Sequence, residues 1–375
     1  MAFQFLLNTW GKLNSFIFAH MELSRDNYYM ARCLQLARLG AGRVAPNPMV
    51  GAVLVHDDVI IGEGYHQKYG EAHAEVNCIN EALQNNPDKI SKSTLYVSLE
   101  PCAHYGKTPP CADLIISHKI PKVVVGCRDS FKEVDGRGIA KLREAGIEVV
   151  ENILEDECID LNKQFFTFHE YSRPYVILKW AQTQDGFIAT DHNDGRLMIS
   201  GEYTNRLVHK WRSENPSILV GSNTVVLDNP LLDNRYWFGQ TPLKLVLDTS
   251  FRLLGNFRIF YHGADVWVFN TATAGREEGI KYFQVSKENV LHDMLSQLHA
   301  QNIQSVFVEG GKTVLQSFID VGLWDEARVI TNTTLCVGQG LNAPVMKDSA
   351  ALRSGFVGND YISFFKNKNN AFIRA

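Results

Sequence analysis

The chain has 375 residues, 45% of them hydrophobic, with 37 basic and 41 acidic side chains and a formal net charge of −4. That length suits two domains, or at most three, and the slight acidic excess speaks against nucleic acid as the main partner. No apolar run approaches the roughly 18 residues that a membrane helix needs. The seven cysteines are scattered and odd in number, which fits a reducing cytoplasm with two thiols on a metal rather than a disulfide framework.

The first twenty residues hold apolar clusters but lack a basic leader and a clean small-residue cleavage site. They read as a loosely ordered extension, or as residues preceding a start near Met21. Ser24 or Asp26 can cap a helix to about residue 39, with Tyr29, Cys33, Leu36 and Ala37 on one face, and Gly40 and Gly42 end it. Residues 50–56 and 59–64 read as a hairpin joined at Asp57-Asp58. Gly62-Glu63-Gly64 is expected to be a turn, not a dinucleotide fingerprint. A helix over 72–83, a strand over 94–99, a helix over 110–118, a strand over 123–126, a helix over 138–145 and a strand over 148–150 follow. Strands alternating with helices predict a three-layer α/β domain over 21–172.

A helix over 155–170 is expected to stop at Ser172-Arg173-Pro174, which sets the domain boundary near 172. A second α/β series then fills 173–375, with strands at 175–180, 217–221, 244–248, 266–270, 305–309 and 327–331. Helices are expected near 202–213, 291–301 and 312–320, and 366–370 as a solvated turn or tail.

The chemistry begins at His73-Ala74-Glu75, Cys102 and Cys111. One imidazole and two thiolates can hold a zinc ion and leave its fourth position to water. Glu75 is too close to His73 to serve as a further ligand without strain, so it is free to move protons. Each ligand is expected near a helix start, where the helix dipole favours thiolate. This is the arrangement of a zinc deaminase. A purely structural zinc would want a fourth Cys or His, and only Cys78 and His104 are near. Eight residues separate the two cysteines, where the usual deaminase spacing is two. Asn47, between Pro46 and Pro48, is a candidate to recognise a ring amide, or simply a turn asparagine.

In the second domain three motifs end strands. They are Lys179-Trp180-Ala181 with Asp185-Gly186, the 219–224 segment with Asp228-Asn229-Pro230, and Val308-Glu309-Gly310-Gly311-Lys312-Thr313. Paired glycines before a helix let backbone N–H groups approach a phosphate. No Rossmann fingerprint follows a strand, but three such motifs in one domain point to a ligand crevice.

The loop Glu100-Pro101-Cys102-Ala103-His104-Tyr105-Gly106-Lys107-Thr108-Pro109-Pro110-Cys111 and the Pro46-Asn47-Pro48-Met49-Val50-Gly51 segment closely resemble the bifunctional deaminase–reductase family of riboflavin biosynthesis. The likeness runs from about Met21 over nearly the whole chain. It implies a cytidine-deaminase-like first domain and a dihydrofolate-reductase-like second domain. It further implies zinc and NADPH as cofactors and a phosphoribosyl diaminopyrimidinone as substrate. Zinc deamination would be followed by reduction of the ribosyl group to ribityl. By the same likeness Asn47, His104 and Lys107 contact the first substrate. Ala181, Thr224, Asp228, Gly311, Lys312, Thr313, Val314, Leu315, Gln316 and Ser317 meet NADPH. Arg212, Leu231, Arg235 and Glu309 meet the second substrate, and Lys179 donates or positions a proton. A homo-oligomer through the reductase domain is expected.

Two places depart from the family pattern. Ser130 stands where proline is usual, and Arg196 and Met198 replace a Ser and a Trp, which leaves an impaired reductase as the alternative. A nucleic-acid-editing deaminase would need a basic groove with exposed aromatics. A structural zinc module would leave Glu75 without work.

Overall fold

The structure, a computed structural model, describes residues 24–105, 109–130, 136–190, 197–253, 257–261, 265–277 and 279–369. The expectations for residues 1–20, Lys107 and Arg196 lie outside them. The chain divides into two units, 1–162 and 163–375.

The first unit carries a five-stranded sheet in the order β2-β1-β3-β4-β5. Its strands are β1 (Gly51–His56), β2 (Val59–Tyr65), β3 (Thr94–Leu99), β4 (Lys122–Cys127) and β5 (Glu148–Val150). β1 and β2 form the expected hairpin, and Asp57 and Asp58 both sit at positive φ, as a tight two-residue turn requires. β3, β4 and β5 run parallel. Helices α2 (Ala74–Asn85), α3 (Cys111–Ser117) and α4 (Arg137–Glu144) cover one face, over Leu54, Leu95, Val97, Val123 and Val125. Helix α1 (Arg25–Ala37), capped by the Ser24 side chain, covers the other face together with α5 (Glu155–Leu161). This is the expected three-layer arrangement.

Gly62-Glu63-Gly64 is not a turn; it lies inside β2. A Cβ on Gly62 would come within 2.5 Å of the Cys78 carbonyl, and one on Gly64 within 2.3 Å of the Cys78 nitrogen. The two glycines let α2 press directly on the strand, which holds the metal motif against the sheet.

The helix expected over 155–170 is two helices, α5 and α6 (Lys163–Tyr171). Asn162 ends the first by turning its side chain to the backbone of Met49, accepting from its N–H at 2.8 Å and donating to its carbonyl at 2.9 Å. Contacts divide the chain between Asn162 and Lys163, one helix before the expected limit near 172.

The second unit is built on a ten-stranded sheet in the order β11-β12-β10-β9-β8-β13-β6-β14-β17-β16. The parallel centre is β12 (Ile280–Gln284), β10 (Val266–Asn270), β9 (Leu243–Leu247), β8 (Ser217–Gly221), β13 (Ser305–Val308), β6 (Tyr175–Gln182) and β14 (Glu326–Asn332). Antiparallel β11 (Gly275–Glu277) closes one edge, and the hairpin β16 (Ser349–Val357) and β17 (Asp360–Asn367) the other. The turn or tail expected over 366–370 starts within β17, which runs to Asn367. β7 (Phe187–Thr190) and β15 (Gly340–Asn342) pair apart from the main sheet.

Alternate residues of the central strands enter two cores. Val176, Leu178 and Trp180 of β6 pack with α9 (Val290–Ala300) and α10 (Lys312–Asp320) on one face. Tyr175 and Ile177 pack with Val208 and Trp211 of α7 (Glu202–Ser213) and Val225 of α8 (Ser222–Asp228) on the other. Both faces are apolar because parallel strands are covered on both sides. Among the described residues no helix is long and apolar enough to cross a membrane.

Candidate active sites

His73 caps the N-terminus of α2, and Cys111 is the first residue of α3. Cys102 sits in the loop after β3 rather than at a helix start. Its sulfur nevertheless receives the first N–H of α3, from Cys111 at 3.3 Å, so the helix terminus reaches it all the same. His73 Nδ1 lies 3.6 Å from Cys102 Sγ and 3.4 Å from Cys111 Sγ. The three ligand atoms fall within 4.8 Å of one another. The Cys111 thiol and His73 hold Cys102 well below the usual thiol range, against its burial. An N, S, S set that shares protons in this way is what a zinc ion displaces and binds.

Glu75 is 3% exposed and stands outside the ligand set. Burial pushes its carboxyl up to about 7, against the pull of His73. Cys78, a spare ligand by sequence, is turned away and bonds the Gly62 carbonyl. Neither it nor His104 joins the triad.

Asn47 is fixed by a chain of hydrogen bonds. His66 Nδ1 donates to the Ala72 carbonyl at 3.0 Å, which leaves Nε2 to accept from Asn47 Nδ2 at 3.1 Å. The Asn47 amide oxygen is then the face left for a donor on a ring. His66 also meets the His73 ring edge-on at 5.4 Å.

Glu100 was quoted in the loop motif without a role. Its buried carboxylate accepts from the backbone of Asp129, Gly136, Gly138 and Ile139 at 2.9–3.3 Å. A Cβ on Gly138 would meet the Pro101 carbonyl at 1.9 Å. The start of α4 is thereby clamped onto Pro101-Cys102, and nothing local in the sequence announces it.

In the second unit a cavity of about 1160 Å³ opens at the C-terminal ends of the strands. Lys179, Ala181, Thr224, Asp228, Glu309, Gly311, Lys312, Thr313, Val314, Leu315 and Ser317 line it. A Cβ on Gly221 would strike Val314 at 2.7 Å, and one on Gly310 would strike Val220 at 2.6 Å. Gly311 adopts φ +68°, with Thr224 Oγ1 3.1 Å from where a Cβ would stand. These close approaches leave bare backbone at the N-terminus of α10, the cradle a phosphate-bearing coenzyme needs. Gln316 departs from the expectation. Its side chain bonds Asp320 and the backbone of Val345 and does not line the cavity.

Glu309 stands at the end of β13 between two cations. Arg212 donates to it in bidentate fashion at 2.6 and 2.8 Å, and Lys179 Nζ lies 3.7 Å away. Burial alone would raise this carboxyl; Arg212 and Lys179 outweigh it and hold it down to about 2. Arg212 also donates to the Asp233 carbonyl at 3.0 Å. Arg235 lies at the surface beyond it, paired with Asp233 at 2.9 Å. Neither arginine, nor Leu231, lines the cavity. Met198 does, and is 66% exposed.

Comparison with known proteins decides the family. The cytidine and deoxycytidylate deaminase zinc-binding region matches residues 23–127, and the RibD C-terminal domain matches 174–354. The riboflavin biosynthesis protein RibD of Aquifex aeolicus is 36% identical over 91% of this chain and 98% of its own. The chain belongs to the RibD family.

RibD of Bacillus amyloliquefaciens is 40% identical, over 80% of this chain and 82% of its own length. The Thermotoga maritima crystal structure, a diaminohydroxyphosphoribosylaminopyrimidine deaminase/5-amino-6-(5-phosphoribosylamino)uracil reductase, superposes with a TM-score of 0.84. It is 36% identical and covers 92% of this chain and 99% of that one. As a RibD protein the chain is a bifunctional enzyme of riboflavin biosynthesis, a zinc deaminase joined to an NADPH-dependent reductase. The nucleic-acid-editing and structural-zinc alternatives fall with that assignment.

Proposed function

We propose that the first unit deaminates 2,5-diamino-6-(5-phosphoribosylamino)pyrimidin-4-one. The second then reduces the ribosyl group of the product to ribityl, giving 5-amino-6-(5-phosphoribitylamino)uracil. The observation that carries the reading is Glu75, buried and poised near neutrality beside the His73, Cys102 and Cys111 triad. Likeness over nearly the whole chain to a protein named for these two activities supports the substrate.

In this proposal His73, Cys102 and Cys111 hold zinc, which when bound supplies a Lewis acid and a water of lowered pKa. Glu75 takes a proton from the attacking water and gives it to the ring nitrogen, then takes the second proton from the added hydroxyl and gives it to the amine, which leaves as ammonia. Asn47 accepts from the ring through its amide oxygen, oriented by His66. His104 and Lys107 meet the phosphoribosyl part.

In the reductase unit the cavity residues Ala181, Thr224, Asp228 and 311–317 hold NADPH, which when bound supplies the hydride. Lys179 gives the proton that the reduced carbonyl or imine needs, and Glu309 binds sugar hydroxyls. Arg235 and Leu231 face the substrate from the rim, and Arg212 serves it by fixing Glu309. A domain limit near 172 and a cytoplasmic setting, which the free cysteines fit, belong to the same proposal. So does a homo-oligomer through the reductase unit. Its edge strand β16 exposes Leu352 and Phe356 and pairs on one side alone among the described residues; light scattering at micromolar protein should give a mass above that of one chain.

The decisive test is to incubate the zinc-loaded protein with the diaminopyrimidinone phosphate, with and without NADPH, and to weigh the products. Exchange of the amine for oxygen should occur in both, and gain of two hydrogens only with NADPH. An unchanged amine would overturn the proposal. Deamination without reduction would favour the impaired reductase, with Met198 the first residue to restore to tryptophan.

A further inference from the structure

Helix α7 carries Asn205, His209 and Arg212 at helical spacing, on one face. Asn205 lines the reductase cavity, and Arg212 grips Glu309. His209 comes between them in the row and is 5% exposed.

The loop that follows α8 is laid along this helix. His209 Nδ1 accepts from the backbone N–H of Arg235 at 3.0 Å. The same imidazole meets the Tyr236 ring edge-on, with centroids 4.7 Å apart. Arg212 donates to the Asp233 carbonyl at 3.0 Å. Further along, Lys210 lies 5.8 Å from the centroid of Trp237, and a Cβ on Gly239 would stand 2.9 Å from that of Ser213. Asn234 closes the loop on itself, its side chain donating to the Gly239 carbonyl at 3.3 Å.

The two arginines held here differ in what they have left to give. Arg212 uses all three of its nitrogens, two on Glu309 and one on Asp233. Arg235 uses Nε on the Asp233 carboxylate at 2.9 Å and lies over the Tyr236 ring. Among the described residues its two Nη groups bond no acceptor. That fork is the one suited to a phosphate. Its direction depends on the backbone at 235, which His209 holds. Burial and the charge of Arg212 keep the imidazole down to about 4, against Glu309; Arg235 and Asp233 are the other charged groups that face it. At neutral pH the ring is therefore uncharged, Nδ1 keeps its lone pair, and the proton sits on Nε2.

We propose that His209 is a positioning residue of the reductase, fixing the backbone of Arg235 so that its guanidinium meets the phosphate of the phosphoribosyl substrate. This rests on the substrate reading given above.

The test follows reduction by the full chain, with NADPH, of 5-amino-6-(5-phosphoribosylamino)uracil and of its dephosphorylated counterpart. The wild type should have the lower KM for the phosphorylated compound. His209→Phe keeps a ring against Tyr236 but offers no acceptor. Its KM for the phosphorylated compound should rise roughly tenfold, with kcat within about twofold and KM for the counterpart unchanged. His209→Asn, whose Oδ1 can stand in for Nδ1, should recover most of the loss. Arg235→Gln should raise the same KM at least as far, and adding His209→Phe to it should cost nothing more. Should His209→Phe not fold, His209→Ala carries the same expectations. A loss equal for both compounds, or one that persists in the Arg235→Gln background, would show that His209 acts on the fold and not through Arg235, and overturns the assignment; so does an unchanged KM. A wild type that reduces neither compound overturns the substrate reading itself.

Discussion

Each unit buries one glutamate at the centre of its site, and the two come out opposite. Glu75 lies beside the thiols of Cys102 and Cys111, with His73 as its one countercharge among the described residues, and rises to about 7. Glu309 is nearly as buried, its side chain 8% exposed, but lies between Arg212 and Lys179, and falls to about 2. Burial acts most strongly on both; the cations decide the sign. A carboxyl near neutrality is fitted to pass a proton on, whereas one locked as a carboxylate is fitted to hold a shape and accept hydrogen bonds. The value for Glu75 belongs to the metal-free pocket, since a dication at the triad favours the carboxylate.

The widest break in this comparison is functional. Glu75→Gln keeps the ligand set and should retain zinc by elemental analysis. It should lose deamination by about 10²–10⁴-fold, the usual worth of a positioned acid–base group. Reduction of an already deaminated substrate should survive. Lys179→Met should do the reverse, with reduction lost on a similar scale and deamination kept. If either change removed both activities, the division of labour between the two units would be wrong.

Next in size is a change in stability. Arg212→Met leaves Glu309 buried with Lys179 alone at 3.7 Å. Removing one partner of a buried pair costs about 3–5 kcal/mol, and the remaining lysine argues for the lower end. Urea unfolding of the reductase unit should read it. The sign of the pH dependence follows from the depressed Glu309 value: its stabilisation is present above the unfolded carboxyl value of 4.5 and is lost as pH falls toward about 2. The gap between wild type and variant should therefore be widest near neutrality and close in acid. A gap independent of pH would mean that Arg212 acts through packing alone.

These two sites also differ in how far they can be read in the sequence. The zinc site lies within a short stretch of chain, and its ligand types carry their own chemistry, so His73, Glu75, Cys102 and Cys111 stand out by spacing. The strands and most helices are legible too, because their apolar periods match the faces they bury. The reductase site is assembled from β6, α7 and β13, and the bidentate pair joins residues 97 apart. No local pattern marks Arg212 as a partner of Glu309; family likeness gave the residues but not their pairing. Glu100 escapes a local reading for the same reason, its backbone donors lying 29–39 residues away. The hairpin of β16 and β17 was missed because β16 is exposed along most of its length, so it shows no alternation.

The smallest effect returns to Glu75 and tests the comparison without catalysis. A buried acid with a raised value holds its proton when folded and releases it when unfolded between pH 4.5 and about 7. In the zinc-free protein its contribution to stability therefore declines as pH rises through that window, and the full cost is present above it. Gln cannot ionise, so Glu75→Gln should be less stable than the wild type near pH 4.5, by the amide's own burial cost, and more stable above pH 7. The gain should be on the order of 1–2 kcal/mol after the amide's own burial cost. Zinc should shrink the gain, because the ion supplies the countercharge that Glu309 already has from Arg212 and Lys179. Thermal melts of the metal-free and zinc-loaded proteins at both pH values measure it. A gain that is the same at pH 4.5 and pH 8 would show that Glu75 is not held near neutrality by burial.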